Sequence, residues 1–273
     1  MINVLTKANG KYLIYSTDQD FINSSNIEDF KAFLLKNENI SCGYCEFSPN
    51  NNSANKIFSK GYETINNIAY LSRHPSGYFF NGEMLKKINY LEHFGNYDYV
   101  DLFPFEFIFA ELGLIGNGAI YNKQLSIPET NTNKVAKNKS STTNGTSSKA
   151  YYTPTSTHKL ELNYTNHINQ LSLQNDEKME LIRNVFMRGL FASTFGYKSL
   201  LRNHSLCEHY YIIPRNIGMF ELLSIGTSFF SEFFSKADYI NNSYSTKIRF
   251  FSGIFSNIMY KSLIKIYKKV LNS

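Results

Sequence analysis

The sequence predicts an α/β body followed by a mainly helical region, and three observations carry that expectation. Short apolar runs at 11–16 and 40–47 alternate with stretches at helical spacing in the first half of the chain. The segment TNTNKVAKNKSSTTNGTSSK, at 130–149, holds almost nothing that can be buried, and structureless connections that long are linkers or functional loops. Beyond it the apolar pattern is nearly all helical. The expected organisation is an α/β domain over 1–129, a flexible loop over 130–150, and a helical region with a basic tail over 151–273.

The elements follow from local pattern. An apolar strand at 11–16 runs into Asp18-Gln19-Asp20. Ile27, Phe30, Phe33 and Leu34 stand at helical spacing behind Ser25 or Asn26 as N-cap. ISCGYCEF at 40–47 reads as a strand before the turn SPNNNSAN. A further strand is expected at 68–72, entering SRHPSGYFFNGEMLKKI, a loop that becomes a short helix. FPFEFIFAELGLIG reads as a buried helix opening near Pro104, a favoured first-turn position. NGAIYN is a turn and a strand. Helices are expected at 158–173, 176–203, about 214–235 and 245–271.

Composition sets the bounds. The 273 residues are 42% apolar and 18% charged, which describes a globular chain and excludes a disordered one. Twenty Tyr and 23 Phe against no Trp place much of the aromatic content in the core. Three cysteines do not make a disulfide framework. The first residues are too polar for a signal segment, and no apolar run reaches bilayer length, so a cytoplasmic location is expected.

The net charge of +6 is unevenly placed. Residues 247–273 carry Lys247, Arg249, Lys261, Lys265, Lys268 and Lys269 without an acid, so the remainder is neutral. Apolar residues from Phe251 to Val270 fall along one side of this tail. A basic amphipathic helix of this kind suits an anionic membrane surface, here the inner face of the cell membrane. The competing reading is a terminal helix packed on its own domain. Nucleic-acid binding fits poorly, because no fold signature or spread-out basic face supports it.

The Asp pair is the first candidate site. Hard divalent cations such as Mg²⁺ or Mn²⁺ take carboxylate oxygens and commonly sit between Asp side chains and a diphosphate. An Asp-x-Asp alone is more often an acidic turn. The segment ANGKYLIYSTDQDFI, however, resembles the one that leads into the Asp pair of family 2 nucleotide-sugar glycosyltransferases, enzymes of GT-A fold. Ala8, Gly10, Tyr12, Asp18 and Asp20 carry that resemblance. It implies a partial GT-A-like mixed sheet. It also implies a metal held by Asp18 and Asp20, with Asp18 also contacting the donor diphosphate.

Further positions take roles from the same resemblance. The helix opening at Pro104 matches the one that carries the general base, and Glu106 is the candidate that would deprotonate the acceptor hydroxyl. The family shows two adjacent acids where this chain has Phe105-Glu106, so Asp101 and Glu111 stay open as bases. The other reading of Glu106 is a first-turn acid facing the positive helix end. Arg73 and His74, before Pro75, would line the substrate cleft; otherwise SRHPSGYFF is a surface turn.

The resemblance implies transfer of a sugar from a nucleotide-sugar donor to a glycan or lipid-linked acceptor. Its wording here, and that of LRNHSLCEHYYIIPR, is similar to capsule and lipopolysaccharide enzymes. Seventeen residues precede Asp18, whereas the family builds its nucleotide pocket from βαβ units of about 30 residues each before the pair. The expectation is therefore the acceptor-side half of such a domain, truncated or split, with the strand at 11–16 left with an open edge. The alternative is a non-catalytic remnant or a membrane-peripheral binding module.

Two remaining constellations read as structure. Cys42 and Cys45 form a C-x-x-C, but on a strand they point to opposite faces and no second pair exists, so buried cysteines are expected. His204, Cys207 and His209 lie close in sequence without a fourth ligand, and read as a loop or helix end. The lysines of the 130–150 loop suit a lid over the cleft or a plain linker.

Overall fold

The computed structural model describes residues 5, 7–17, 20–46, 54–73, 75–88, 103–128, 153–209, 212–236, 247–248, 250 and 252–253. The chain divides into two compact units, Met1–Ser147 with Leu171–Leu173, and Ser148–Gln170 with Gln174–Ser273. The 130–150 loop and most of the basic tail lie outside the described residues.

In the first unit the order is β1 (Tyr12–Tyr15), β2 (Asp20–Ile22), α1 (Ile27–Lys36), β3 (Ile40–Cys45), β4 (Lys56–Phe58) and α2 (Tyr62–Ile68). It continues with β5 (Tyr78–Asn81), α3 (Gly82–Lys87), α4 (Pro104–Ile115), β6 (Asn117–Tyr121) and β7 (Ser126–Pro128). Five strands form one mixed sheet in the order β1-β5-β3-β6-β4. β3 and β6 run parallel, and the other pairs are antiparallel. β2 and β7 make a separate two-stranded ribbon. Among the described residues β1 is an edge strand, pairing with β5 only.

Successive residues of a strand face opposite sides of the sheet, and β5 uses this to hold both layers. Phe79 meets Phe30 of α1 edge-on at 5.1 Å. Phe80 stacks on Phe105 and Phe109 of α4, at 5.5 and 5.2 Å. Both rings are fully buried, each contributing about 2–3 kcal/mol of transfer free energy. The expected buried helix at Pro104 is thus the layer behind Phe80, with Pro104 in its first turn.

β3 is buried along its whole length. Cys42 lies against the Phe109 carbonyl of α4, with Sγ at 3.8 Å, while Cys45 belongs to the cluster around Phe30. The two thiols therefore occupy opposite faces, as alternation requires. Burial pushes the Cys42 thiol up to about 12 and raises that of Cys45 as well.

One local expectation is sharpened and another corrected. Asn26 is the N-cap of α1, one of the two positions expected, but its side chain makes no cap bond. Asn23 caps a short 3₁₀ turn, Ser24–Asn26, that leads into α1, its Oδ1 accepting from the Ser25 amide at 3.3 Å. The strand expected at 68–72 is instead the end of α2 and an irregular loop. Tyr70 and Ser72 there hold φ of 58° and 51°, left-handed values that no strand accommodates. The strand comes later, as β5.

The second unit contains α5 (Pro154–Gln170), α6 (Asn175–Phe191), α7 (Tyr197–Arg202), α8 (His204–His209) and α9 (Met219–Lys236). The expected helix at 176–203 is one run with a π-helical segment, Ala192–Gly196, between α6 and α7. Gln174 and Glu177 form a reciprocal capping box that starts α6. Its core gathers on Phe186, whose ring meets those of Phe229, Phe233 and Phe250 at 5.6, 4.7 and 5.6 Å. Among the described residues no helix is long and apolar enough to cross a membrane.

Candidate functional site

The loop between α2 and β5, residues 69–77, joins two of the predicted site acids. Glu106 holds its first half. Its side chain is 1% exposed, and Oε2 accepts from the Leu71 amide at 2.8 Å while Oε1 accepts from the Arg73 amide at 3.4 Å. The left-handed residues Tyr70 and Ser72 precede these two amides, and the alternation turns both N–H groups toward one carboxylate. Each such residue costs on the order of 1 kcal/mol, which the charge-assisted bonds to Glu106 offset.

Asp20 holds the other half. The Ser76 hydroxyl donates to Asp20 Oδ2, and the Thr17 hydroxyl donates to the same oxygen at 2.7 Å. The Thr17 amide in turn donates to Ser76 Oγ at 3.0 Å. Gly77, at φ 88°, then donates its amide to the Tyr15 carbonyl at 2.8 Å and so delivers the chain into β5.

Between the two anchors stands Arg73. Its guanidinium lies 3.6 Å over the Tyr44 ring, a cation–π contact that orients the side chain. The Tyr78 hydroxyl donates to the Arg73 carbonyl at 3.0 Å. Burial, and then the Glu106 carboxylate nearby, drive the Tyr78 phenol well above its ordinary pKa, so it remains a donor. Asp20, Arg73 and Glu106 are therefore brought to one loop. Asp18, His74 and Asp101 lie outside the described residues, and Glu111 is half-buried on α4.

Sequence reasoning missed Ser76 and Thr17. Their signal was the hydroxyl beside each turn, in Pro75-Ser76-Gly77 and Ser16-Thr17-Asp18. Tyr44 and Tyr78 carried no local signal, since their roles depend on the neighbouring strand and loop.

Asp20, Thr17 and Ser76 bring a carboxylate and two hydroxyls together, both hydroxyls donating to Asp20 Oδ2, and oxygen is the donor type that Mg²⁺ and Mn²⁺ prefer. Among the described residues no group of three or more His, Cys, Asp or Glu could hold a metal. In the second unit Cys207 is fully buried and its thiol donates to the Leu200 carbonyl at 3.2 Å.

No family model matches the chain, and no curated protein matches it. Among the solved structures similar to it are two that align over most of this chain. The first is S. aureus TarS 1-349, at a TM-score of 0.45 and 8% identity over 84% of this chain and 69% of that one. The second is S. aureus TarS 1-349 in complex with UDP-GlcNAc, at a TM-score of 0.44 and 11% identity over 84% and 70%.

Proposed function

We propose that this chain is a glycosyltransferase, in which the α/β unit carries a metal-dependent transfer site. The observation that supports this reading most is the 69–77 loop. It is anchored at one end by the Asp20 carboxylate and at the other by Glu106, with Arg73 between them. The Ala8-to-Asp20 motif supplies the reaction class.

In this reading Asp18 and Asp20 would hold a divalent cation, which would supply positive charge against the donor diphosphate that Asp18 also meets. The acceptor hydroxyl oxygen attacks the anomeric carbon, the bond to the diphosphate oxygen breaks, and Glu106 takes the hydroxyl proton. Arg73 and His74 line the cleft. The substrates are a nucleotide sugar and a glycan or lipid-linked acceptor of surface polysaccharide assembly. The basic tail would hold a cytoplasmic chain against the inner face of the membrane.

A second reading draws on the burial of Glu106. A carboxylate 1% exposed, with both oxygens on loop amides, serves as an anchor, and the chain is then a non-catalytic binding module.

Incubating the chain with a panel of nucleotide sugars, Mn²⁺ and an isoprenoid-linked acceptor tests both readings. The first expects transfer that Asp18→Ala/Asp20→Ala abolishes. Equal transfer by that variant sinks it. Donor binding without transfer, unchanged in Glu106→Gln, supports the second.

A further inference from the structure

The helical unit holds a cleft of about 830 Å³ that the sugar-transfer reading does not use. Its walls include Phe191, Leu200 and Leu206, and Arg202 and His204 also line it. Phe191 is 64% exposed and Leu206 41%, so large apolar side chains stand open to a ligand. That volume matches a drug-sized or short lipid-like molecule.

Three features mark the cleft as a binding site. The first is charge: Arg202 and His204 line the cleft, and among the described residues no Asp or Glu lines it. The second is backbone: the cleft borders the π-helical segment Ala192–Gly196, an irregularity that recurs at functional sites.

The third is Gly196, which also lines the cleft. Its φ of −61° and ψ of −49° are helical, so no left-handed geometry demands glycine there. An added Cβ would meet nothing nearer than the Phe191 carbonyl oxygen at 3.6 Å, an ordinary contact. Glycine is among the poorest helix formers, and neither packing nor conformation calls for it here. What its missing side chain does is leave the cleft open.

We propose that this cleft binds a phosphate-headed long-chain amphiphile, the chain lying on Phe191, Leu200 and Leu206 and the phosphate meeting Arg202 and His204. Guanidinium and phosphate pair through charge-assisted hydrogen bonds, while the apolar wall selects for the hydrocarbon. The ligand chemistry is shared by a lipid-linked acceptor and by a membrane phospholipid. The site stands on residues of the helical unit alone, whether or not the α/β unit transfers sugar.

Isothermal titration of the full chain with decyl phosphate, below its micelle concentration, is the test. Saturable binding is expected, with inorganic phosphate and uncharged decyl maltoside each much weaker. Gly196→Leu, which fills the cleft, and Arg202→Gln, at an exposed position, should each weaken decyl phosphate by about tenfold, the loss expected of one good contact. Gly196→Leu is compared only if its circular dichroism matches the parent; Arg202→Gln decides otherwise. Unchanged affinity in the folded variants, no saturable binding, or equal binding of inorganic phosphate overturns the proposal. Isoprenyl phosphate competing better than a short-chain phosphatidylglycerol assigns the site to an acceptor, and the reverse order assigns it to membrane lipid.

Discussion

Glu106 Oε2 accepts a hydrogen bond from the Leu71 amide at 2.8 Å across 35 residues of sequence, so the first turn of α4 holds the loop that leads into β5. The Arg73 amide reaches the same carboxylate. Glu106→Ala leaves two inward amides without an acceptor and should cost about 3 kcal/mol of stability. Thermal unfolding measures the loss. Hydrogen exchange at Leu71 and Arg73 should accelerate before the rest of the sheet.

Asp20→Asn separates binding from folding. The carboxamide oxygen still accepts from Ser76 and Thr17, so stability should change by less than about 1 kcal/mol. The lost charge should weaken Mn²⁺ binding in the presence of a nucleotide sugar by about tenfold or more. Titration followed by electron paramagnetic resonance reads the affinity. Unaltered Mn²⁺ binding would remove Asp20 from the proposed metal site.

The contrast between α4 and the 69–77 loop shows what the sequence could say. α4 was legible because Pro104 and a continuous apolar run are local signals, and burial behind β5 is what such a run needs. The opposite faces of Cys42 and Cys45 followed from strand alternation alone. The strand expected at 68–72 does not form, because the backbone there depends on Glu106, which is distant in sequence. Left-handed Tyr70 and Ser72 have no local cause; they persist because a buried carboxylate takes the amides that follow them. Asp20 was legible by type, while its partner Ser76 was not, because the pairing spans 56 residues.

Gly43 tests how tightly the sheet is built. A Cβ there would lie 2.0 Å from the Ala119 carbonyl oxygen and 2.5 Å from Phe79 Cζ. Neither can yield easily, since β3 and β6 are hydrogen-bonded there and Phe79 is fully buried. Gly43→Ala should therefore destabilise the α/β unit by about 3 kcal/mol, as overpacking does. Urea denaturation followed by circular dichroism would show it. An unchanged midpoint would mean that the strands separate without cost.

The buried thiols predict a pH dependence with a definite sign. All three cysteines are free and buried, and burial holds the Cys42 thiol at about 12 against an ordinary 9.0. Burial keeps a disulfide reagent away from all three, so at pH 8 the native chain should resist Ellman's reagent and the denatured chain should release three equivalents. Because the folded state keeps its proton more tightly than the unfolded one, this contribution to stability is complete below pH 9.0 and is lost as pH rises toward about 12. Cys45 shifts in the same direction. Cys42→Ala removes one titrating group, so its unfolding midpoint should fall less steeply than the parent's above pH 9.0. Parallel falls in parent and variant would assign the alkaline loss to other groups.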